Sequence, residues 1–301
     1  MPANKLIVGV DIGGTKTKLA FMHEGSLEIF GHFATPDSPQ EEVDAIADCI
    51  AHAALPGEIV GIGVGCPGPL DQANGVILAP PNLQNWHGFC LTKRLEDAMR
   101  VAVKLENDAN AGALGEALYG AGKGYERVFY MTISTGIGSG IVLNSKIYRG
   151  SRGMAGEIWA FPHGVFAGQT DGKNITELAS GNGIVACAKE RIAQGEKTSI
   201  PANDISTHTI LAAHEQGDAL AADIVQQAVD TLSGSLLFIQ ALLAPDVIVL
   251  GGGLCTDPKW FVEPICARVD AMRPDALEQA PIVRAQAWDN AVLLGAVNLL
   301  D

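Results

Sequence analysis

Apolar positions along the chain switch between two rhythms. Residues 5–10 form an apolar run that ends on Asp11 and then on the pair Gly13-Gly14. Short continuous runs bounded by turn formers predict buried strands. Residues 17–22 and 27–33 read as two further strands, turning at the glycine pair and at Glu24-Gly25-Ser26. Over residues 39–54 the spacing changes. Val43, Ile46, Ala47 and Ile50 recur at offsets of three and four, which predicts an amphipathic helix. Residues 59–65 are again continuously apolar, as in a strand buried on both faces. Three strands, a helix and a return strand predict an α/β layer with a mixed sheet.

The stretch from Cys66-Pro67-Gly68-Pro69 to Trp86 is long, rich in turn formers and poor in regular pattern. It reads either as a surface hairpin or as a functional loop. A helix over 91–100 and a strand over 101–105 follow, and Glu106-Asn107-Asp108-Ala109-Asn110 sits where that strand meets an alanine-rich helix. Polar side chains at such a junction face the crevice where open α/β sheets bind ligands, and Asn107 or Asp108 can also cap the helix. After a hinge at 120–124 the pattern restarts. Residues 127–133 read as a strand, 134–140 as a second glycine loop, and 141–143 as a strand. Residues 150–172 read as irregular. From 177 onward helices dominate, the longest over 218–243, with a buried strand at 247–250 ending on Gly251-Gly252-Gly253. That third turn either lets a base or ribose lie against backbone or is simply tight. A strand over 282–287 and a helix over 289–300 close the chain.

Composition narrows the function classes. The chain has 301 residues, 48% hydrophobic and 18% charged, enough for a sizeable core. A net charge of −14 disfavours nucleic acid and anionic membrane as partners. The six scattered cysteines include no Cys-x-x-Cys pair and suit free thiols in a reducing compartment. With no signal sequence or membrane-length apolar run, the expectation is a cytoplasmic protein.

The first glycine turn is a candidate phosphate loop. In Asp11-Ile12-Gly13-Gly14-Thr15-Lys16 the glycines permit close approach and positive φ. Successive N–H groups can form an anion-binding nest. Thr15 and Lys16 add donors, and Asp11 can orient a divalent cation through water. A ligand-free hairpin has the same pattern, so this segment alone leaves both readings open.

Seven segments together resemble the ROK family of bacterial sugar kinases and regulators, within the actin/hexokinase-like phosphotransferases. They are residues 11–16, Pro67-Gly68-Pro69, Pro81-Asn82-Leu83 with Trp86, Glu106-Asn107-Asp108-Ala109-Asn110-Ala111, residues 134–140, Ala155-Gly156-Glu157, and Leu250-Gly251-Gly252-Gly253. The resemblance covers nearly the whole chain and implies an α/β, two-domain actin/hexokinase-like (ribonuclease H-like) fold with a cleft between domains. Residues 1–119 with 288–301 would form the smaller domain and 120–287 the larger. ATP with Mg2+ is implied on Asp11, Gly13, Gly14, Thr15, Lys16, Thr135, Gly136, Gly138, Gly251, Gly252 and Gly253. Sugar is implied near Gly68, Asn82, Asn107, Glu157 and Glu177, with Asp108 as the general base, and a homodimer is implied as the assembly.

The chain also departs from the family pattern. Many members continue into Ile-Gly-His and a cysteine-rich zinc motif, whereas here the run is Glu157-Ile158-Trp159-Ala160, with no cysteine before Ser180. Tetrahedral zinc needs four ligands. Only His163 is nearby, so no structural zinc is expected and His163 reads as an ordinary loop histidine. The register puts Thr176 where the family has a second sugar-binding glutamate. Either Glu177 reaches the sugar or that contact is lost. Trp159 offers a flat face to a pyranose or a core side chain. The expected function is an ATP-dependent kinase acting on a hydroxyl of a hexose or N-acetylhexosamine. The alternative is a non-catalytic sugar-binding sensor or regulator of the same family. Such regulators carry a DNA-binding module ahead of the first strand, where this chain has residues 1–4.

Overall fold

The computed structural model describes residues 5–161 and 172–300. The chain divides into two compact units, one of Met1–Gly124, Gly140–Ala155 and Gln286–Asp301, the other of Tyr125–Ser139 and Gly156–Ala285. Gly140–Ala155, which the sequence assigns to the second half, groups with the first, where Arg149 donates to Glu106 at 2.6 Å.

The first strands are β1 (Lys5–Ile12), β2 (Lys16–His23) and β3 (Ser26–Ala34), followed by α1 (Pro39–His52) and β4 (Glu58–Cys66). Ser38 caps α1, accepting from the Glu41 N–H, and Pro39 starts it with the φ a helix requires. The apolar stripe Val43, Ile46 and Ile50 is buried against Val8, Val10, Ile62 and Val64. Residues 66–90 are more ordered than their composition suggests. They fold into β5 (Leu70–Asp71), β6 (Val76–Ile77) and β7 (Phe89–Cys90), a small antiparallel sheet. Trp86 is buried beneath it, with its Nε1 donating to the Asp37 carbonyl at 3.1 Å. Then come α2 (Leu91–Met99), β8 (Ala102–Asn107) and α3 (Asp108–Tyr119). The main sheet has the order β3-β2-β1-β4-β8, antiparallel up to β1 and parallel from β1 to β8.

The remaining elements are β9 (Arg127–Ile133), β10 (Ile137–Leu143), β11 (Lys146–Ile147), α4 (Ile175–Ala179), α5 (Gly181–Ala193), α6 (Thr207–Glu215), α7 (Ala219–Leu243), β12 (Val247–Gly251), α8 (Val262–Met272), β13 (Ile282–Arg284) and α9 (Ala291–Ala296). Their sheet runs β11-β10-β9-β12-β13, with β12 parallel to both β9 and β13. The two sheets thus share one strand order. In α7 the cap Asp218 accepts from the Ala221 N–H, and Ala244 ends the helix in the left-handed region ahead of Pro245. Among the described residues no helix is long and apolar enough to cross a membrane.

In the first unit α9 lies against α3 at backbone distance, since a Cβ on Gly295 would sit 1.8 Å from the Ala111 carbonyl oxygen. Glu116 on α3 is fully buried, and its carboxylate accepts from the N–H groups of Ala121 (2.8 Å), Gln286 (3.0 Å) and Ala287 (2.7 Å). These contacts fix the helix whose other end carries Asp108.

Candidate functional site

In the first unit, parallel pairing places Asp11 of β1 opposite Gly65 of β4, and Cys66 of β4 opposite Asn107 of β8. Asp11, Asn107 and Asp108 therefore gather at the carboxyl edge of three adjacent parallel strands, where open α/β sheets bind ligands. Asn107 caps α3, its Oδ1 accepting from Ala109 (2.9 Å) and Asn110 (3.3 Å). The amide nitrogen of the same side chain lies over Gly68, 3.0 Å from where a Cβ would be. Capping and a position facing the Gly68 loop are thus compatible. Asp108, the first helical residue, accepts from the Ala109 N–H at 2.8 Å.

Electrostatics couples these carboxyls. Burial pushes Asp11 up to about 7, Asp108 adds to the rise, and Lys18 and Lys16 oppose it. Burial also raises Asp108. Like charges held close with little water cannot both ionise freely. Behind them stands Glu106, which sequence reasoning left without a role. It accepts from the Asn107 N–H (2.9 Å), the Asn110 side chain (3.0 Å) and Arg149 (2.6 Å), which fixes the Asn107-Asp108 corner.

The Gly13-Gly14 hairpin closes with the Gly13 N–H on the Lys16 carbonyl at 2.9 Å. Neither glycine has positive φ. What requires glycine is proximity, because a Cβ on Gly14 would lie 2.8 Å from the Asn82 Cβ. The hairpin and Asn82 are therefore in contact. Thr15 and Lys16 are exposed at its tip.

In the second unit, the Ser134 N–H donates to the Gly136 carbonyl at 2.9 Å. The carbonyls of Ser134 and Thr135 accept from Gly181 (2.8 Å) and Asn182 (3.2 Å), the first residues of α5. The parallel pair β12/β9 sets Gly251 opposite Thr132, which brings the glycine turn beside this loop. Gly252 has φ +88°, and a Cβ there would be 2.4 Å from the Ile133 carbonyl oxygen. Thr135, Gly136, Gly251, Gly252, Gly253 and the amino end of α5 thus form one cluster, with Gly138 on the following strand.

The loop with Glu157 is tied to β10 by the Ser139 hydroxyl, which donates to the Gly156 carbonyl. Trp159 is 41% exposed and its indole N–H donates to the Glu157 carboxylate, which excludes a core role. Glu177 closes a capping box with Asn174, accepting from its N–H at 2.8 Å while Asn174 Oδ1 accepts in return at 2.9 Å. The spacing Asn174-x-x-Glu177 is a sequence signal for that box. The Thr176 hydroxyl is buried with no partner among the described residues. His163 lies outside the described residues. Among those described, no group of three or more His, Cys, Asp or Glu side chains is placed to hold a metal.

A model of the ROK family matches residues 7–301. The glucokinase of Streptomyces coelicolor is 31% identical over 98% of this chain and 97% of its own length. A ROK family glucokinase from Streptomyces griseus, solved in complex with glucose and AMPPNP, superimposes with a TM-score of 0.78 at 30% identity, covering 98% of each chain. The ROK hexokinase from Thermus thermophilus superimposes with a TM-score of 0.81 at 31% identity, covering 97% of this chain and 96% of that one.

Proposed function

Because this chain belongs to the ROK family, we propose that it is an ATP-dependent sugar kinase, transferring the γ-phosphoryl group to a hydroxyl of a hexose or N-acetylhexosamine. The observation that carries this is Asp108, held at the start of α3 at the carboxyl edge of β1, β4 and β8, with the Asp11 carboxyl as its neighbour.

A sugar hydroxyl is a poor nucleophile until its proton has somewhere to go. Asp108 is the acceptor in this reading. Its carboxyl is raised above the ordinary range by burial, and a base whose pKa approaches the working pH takes the proton more readily. The hydroxyl oxygen bonds to the γ-phosphorus, the bond to the bridging oxygen breaks, ADP leaves, and the hydroxyl proton passes to Asp108. The free amide nitrogen of Asn107, the Gly68 loop and Asn82 orient neighbouring hydroxyls, with Glu157 and Trp159 adding sugar contacts. Glu177 keeps one oxygen in its capping box, so any sugar contact falls to the other.

For the nucleotide, backbone N–H groups near Thr15 and Gly136, with Lys16, suit phosphate, and the Gly251-Gly252-Gly253 turn suits the flat nucleoside. Asp11 fits a hydrated Mg2+, being a half-buried carboxyl beside an exposed hairpin tip. That ion, carried by ATP, neutralises phosphate charge. The acidic net charge supports small-molecule partners over nucleic acid. A homodimer rests on the family resemblance, and a cytoplasmic location on the scattered free cysteines.

Coupled ADP release across a hexose and N-acetylhexosamine panel tests the reading. One sugar should stimulate turnover, and Asp108→Asn should lower it by about 10²–10⁴-fold. Unchanged turnover in that variant removes Asp108 as the base. Tight sugar binding by calorimetry with no ADP release would favour the sensor alternative.

A further inference from the structure

Behind the Gly13-Gly14 hairpin runs a line of four oxygens contributed by β1, β2, the end of β3 and α1. Glu42 Oε1 lies 2.7 Å from Thr17 Oγ1, Thr17 Oγ1 lies 3.1 Å from Thr35 Oγ1, and Thr35 Oγ1 lies 2.8 Å from the Gly13 carbonyl oxygen. Three contacts of hydrogen-bond length need three protons. The Gly13 carbonyl can only accept, so Thr35 donates to it and has no proton left for Thr17. Thr17 must then donate to Thr35, which leaves the contact with Glu42 without a hydroxyl proton. The third proton can come only from the carboxyl group itself. An ionised Glu42 satisfies two of the three contacts, and a protonated one satisfies all three.

We propose that Glu42 is held as a neutral carboxylic acid and is a positioning residue for the Gly13-Gly14 hairpin, acting through Thr17 and Thr35. Two further observations agree. Glu42 and Thr17 are both fully buried, and Glu42 Oε2 has no partner among the described residues. A buried carboxylate oxygen left bare is far costlier than the carbonyl oxygen of a neutral acid. Burial pushes this carboxyl up to about 7 even against the lowering effect of the Thr17 hydrogen bond.

The titratable groups nearest this region on other elements are Asp11, Asp108 and Cys66, with Lys16 and Lys18 of β2 beside Asp11. Asp108 at the start of α3 and Asp11 on β1 add to the burial that raises the Cys66 thiol of β4. Among the described residues no cation is paired with Glu42 or contributes to its shift. Against burial stands one influence, the Thr17 hydroxyl, which favours the charged form wherever it donates to Glu42. The proton supplied by Glu42 runs through two hydroxyls to the carbonyl at the base of the hairpin, whose turn also holds Thr35 through the Thr15 carbonyl at 3.2 Å.

The direct test is side-chain ¹³C NMR of the full chain labelled at glutamate, with Glu42→Gln assigning the resonance. One glutamate carboxyl should stay protonated well above the ordinary value of 4.5 and vanish in the variant. If Glu42→Gln does not fold, Thr17→Val assigns it instead, since loss of the partner shifts the same signal. A Glu42 carboxyl that titrates in the ordinary range overturns the proposal. The consequence for catalysis rests on the kinase reading. KM for ATP should rise several-fold as the pH passes the Glu42 transition, with kcat less affected. Glu42→Gln supplies a donor at every pH and should flatten that rise, while Glu42→Ala should carry the high KM throughout. The same alkaline rise in Glu42→Gln as in the native chain removes the positioning role. The NMR result stands whether or not any sugar is phosphorylated.

Discussion

The hairpin at Gly13-Gly14 and the loop at Ser134 to Gly136 occupy equivalent places in two sheets of the same strand order. They are held by different means. The first is backed by side chains, namely the Glu42, Thr17 and Thr35 line behind it and Asn82 against Gly14. The second is backed by backbone, with its carbonyls on the first N–H groups of α5 and Gly252 against Ile133. A side-chain support can titrate and yield, whereas a backbone support is insensitive to pH and stiff. Two turns with one topology, both assigned to phosphate by the proposed function, are therefore expected to respond differently to the same perturbation.

Adding one methyl group to each is the sharpest way to break the comparison. In Gly252→Ala the new Cβ meets the Ile133 carbonyl oxygen at 2.4 Å in a positive-φ conformation, and neither can move without the sheet. A loss of roughly 2–5 kcal/mol is expected, from left-handed strain plus overpacking. The denaturant midpoint should drop and ATP binding should fail. In Gly14→Ala the methyl meets the Cβ of exposed Asn82 at 2.8 Å and its carbonyl oxygen at 3.6 Å, at a φ that alanine accepts. A Cβ moves only with its backbone, so the Asn82 loop must give way, and about 1–2 kcal/mol is expected from overpacking without the left-handed strain. Because Asn82 is the group displaced, KM for sugar should rise together with KM for ATP. Equal stability losses in the two variants would erase the distinction.

The sequence made the turns legible and left their supports hidden, for a physical reason. Glycine clusters after apolar runs are local signals, and so is the Asn-Asp pair at a strand-to-helix junction. The order of strands follows from the alternation of runs and amphipathic spacing. By contrast, Thr17 is 25 residues from Glu42 and 18 from Thr35. Nothing in local pattern distinguishes Glu42, adjacent to exposed Glu41 at the start of α1, from a solvated acid. Its burial is a tertiary consequence of where α1 crosses the sheet. Of the two freedoms that glycine offers at the first turn, Gly13 and Gly14 do not use positive φ. Composition cannot separate a glycine needed for its φ from one needed for space. Glu177 shows the opposite case, since its capping role was present in the spacing from Asn174.

Titration separates the two supports without any mutation. The carboxyls of Glu42 and Asp11 lie at about 7 in the folded chain, above their ordinary values of 4.5 and 3.8. A group raised on folding contributes stability that is full below its unfolded value and is lost as pH rises through its folded value. The stability of the native chain should therefore fall on going from mildly acidic conditions through about 7, as read by urea midpoint against pH. Asp246 in the second unit acts in the opposite sense and at lower pH. Its hydrogen bonds from Arg127 hold it below the ordinary range, so its contribution disappears only in acid. Glu42→Gln should remove part of the loss on the alkaline side and leave the acid side unchanged. A decline of the same size in that variant would assign the effect to Asp11 alone.

The smallest effect is the most discriminating. Thr35→Val and Ser180→Ala each delete one hydroxyl behind one hairpin. Ser180 caps α5, accepting from the Gly183 N–H at 3.0 Å, and its loss should cost about 1 kcal/mol at any pH. Loss of the Thr35 hydroxyl leaves the Gly13 carbonyl without that donor and should cost about 1 kcal/mol where Glu42 is protonated. The two costs are alike, so single variants do not distinguish a titrating support from a fixed one. Combination with Glu42→Ala, which removes the donor that Glu42→Gln would keep, does. Groups that share a hydrogen-bond line couple by about 0.5–3 kcal/mol, and unconnected groups add within about 0.5 kcal/mol. Thr35→Val should therefore be non-additive with Glu42→Ala, whereas Ser180→Ala should be additive with it. Additivity in both cycles would mean that the oxygens behind the first hairpin are neighbours without being linked.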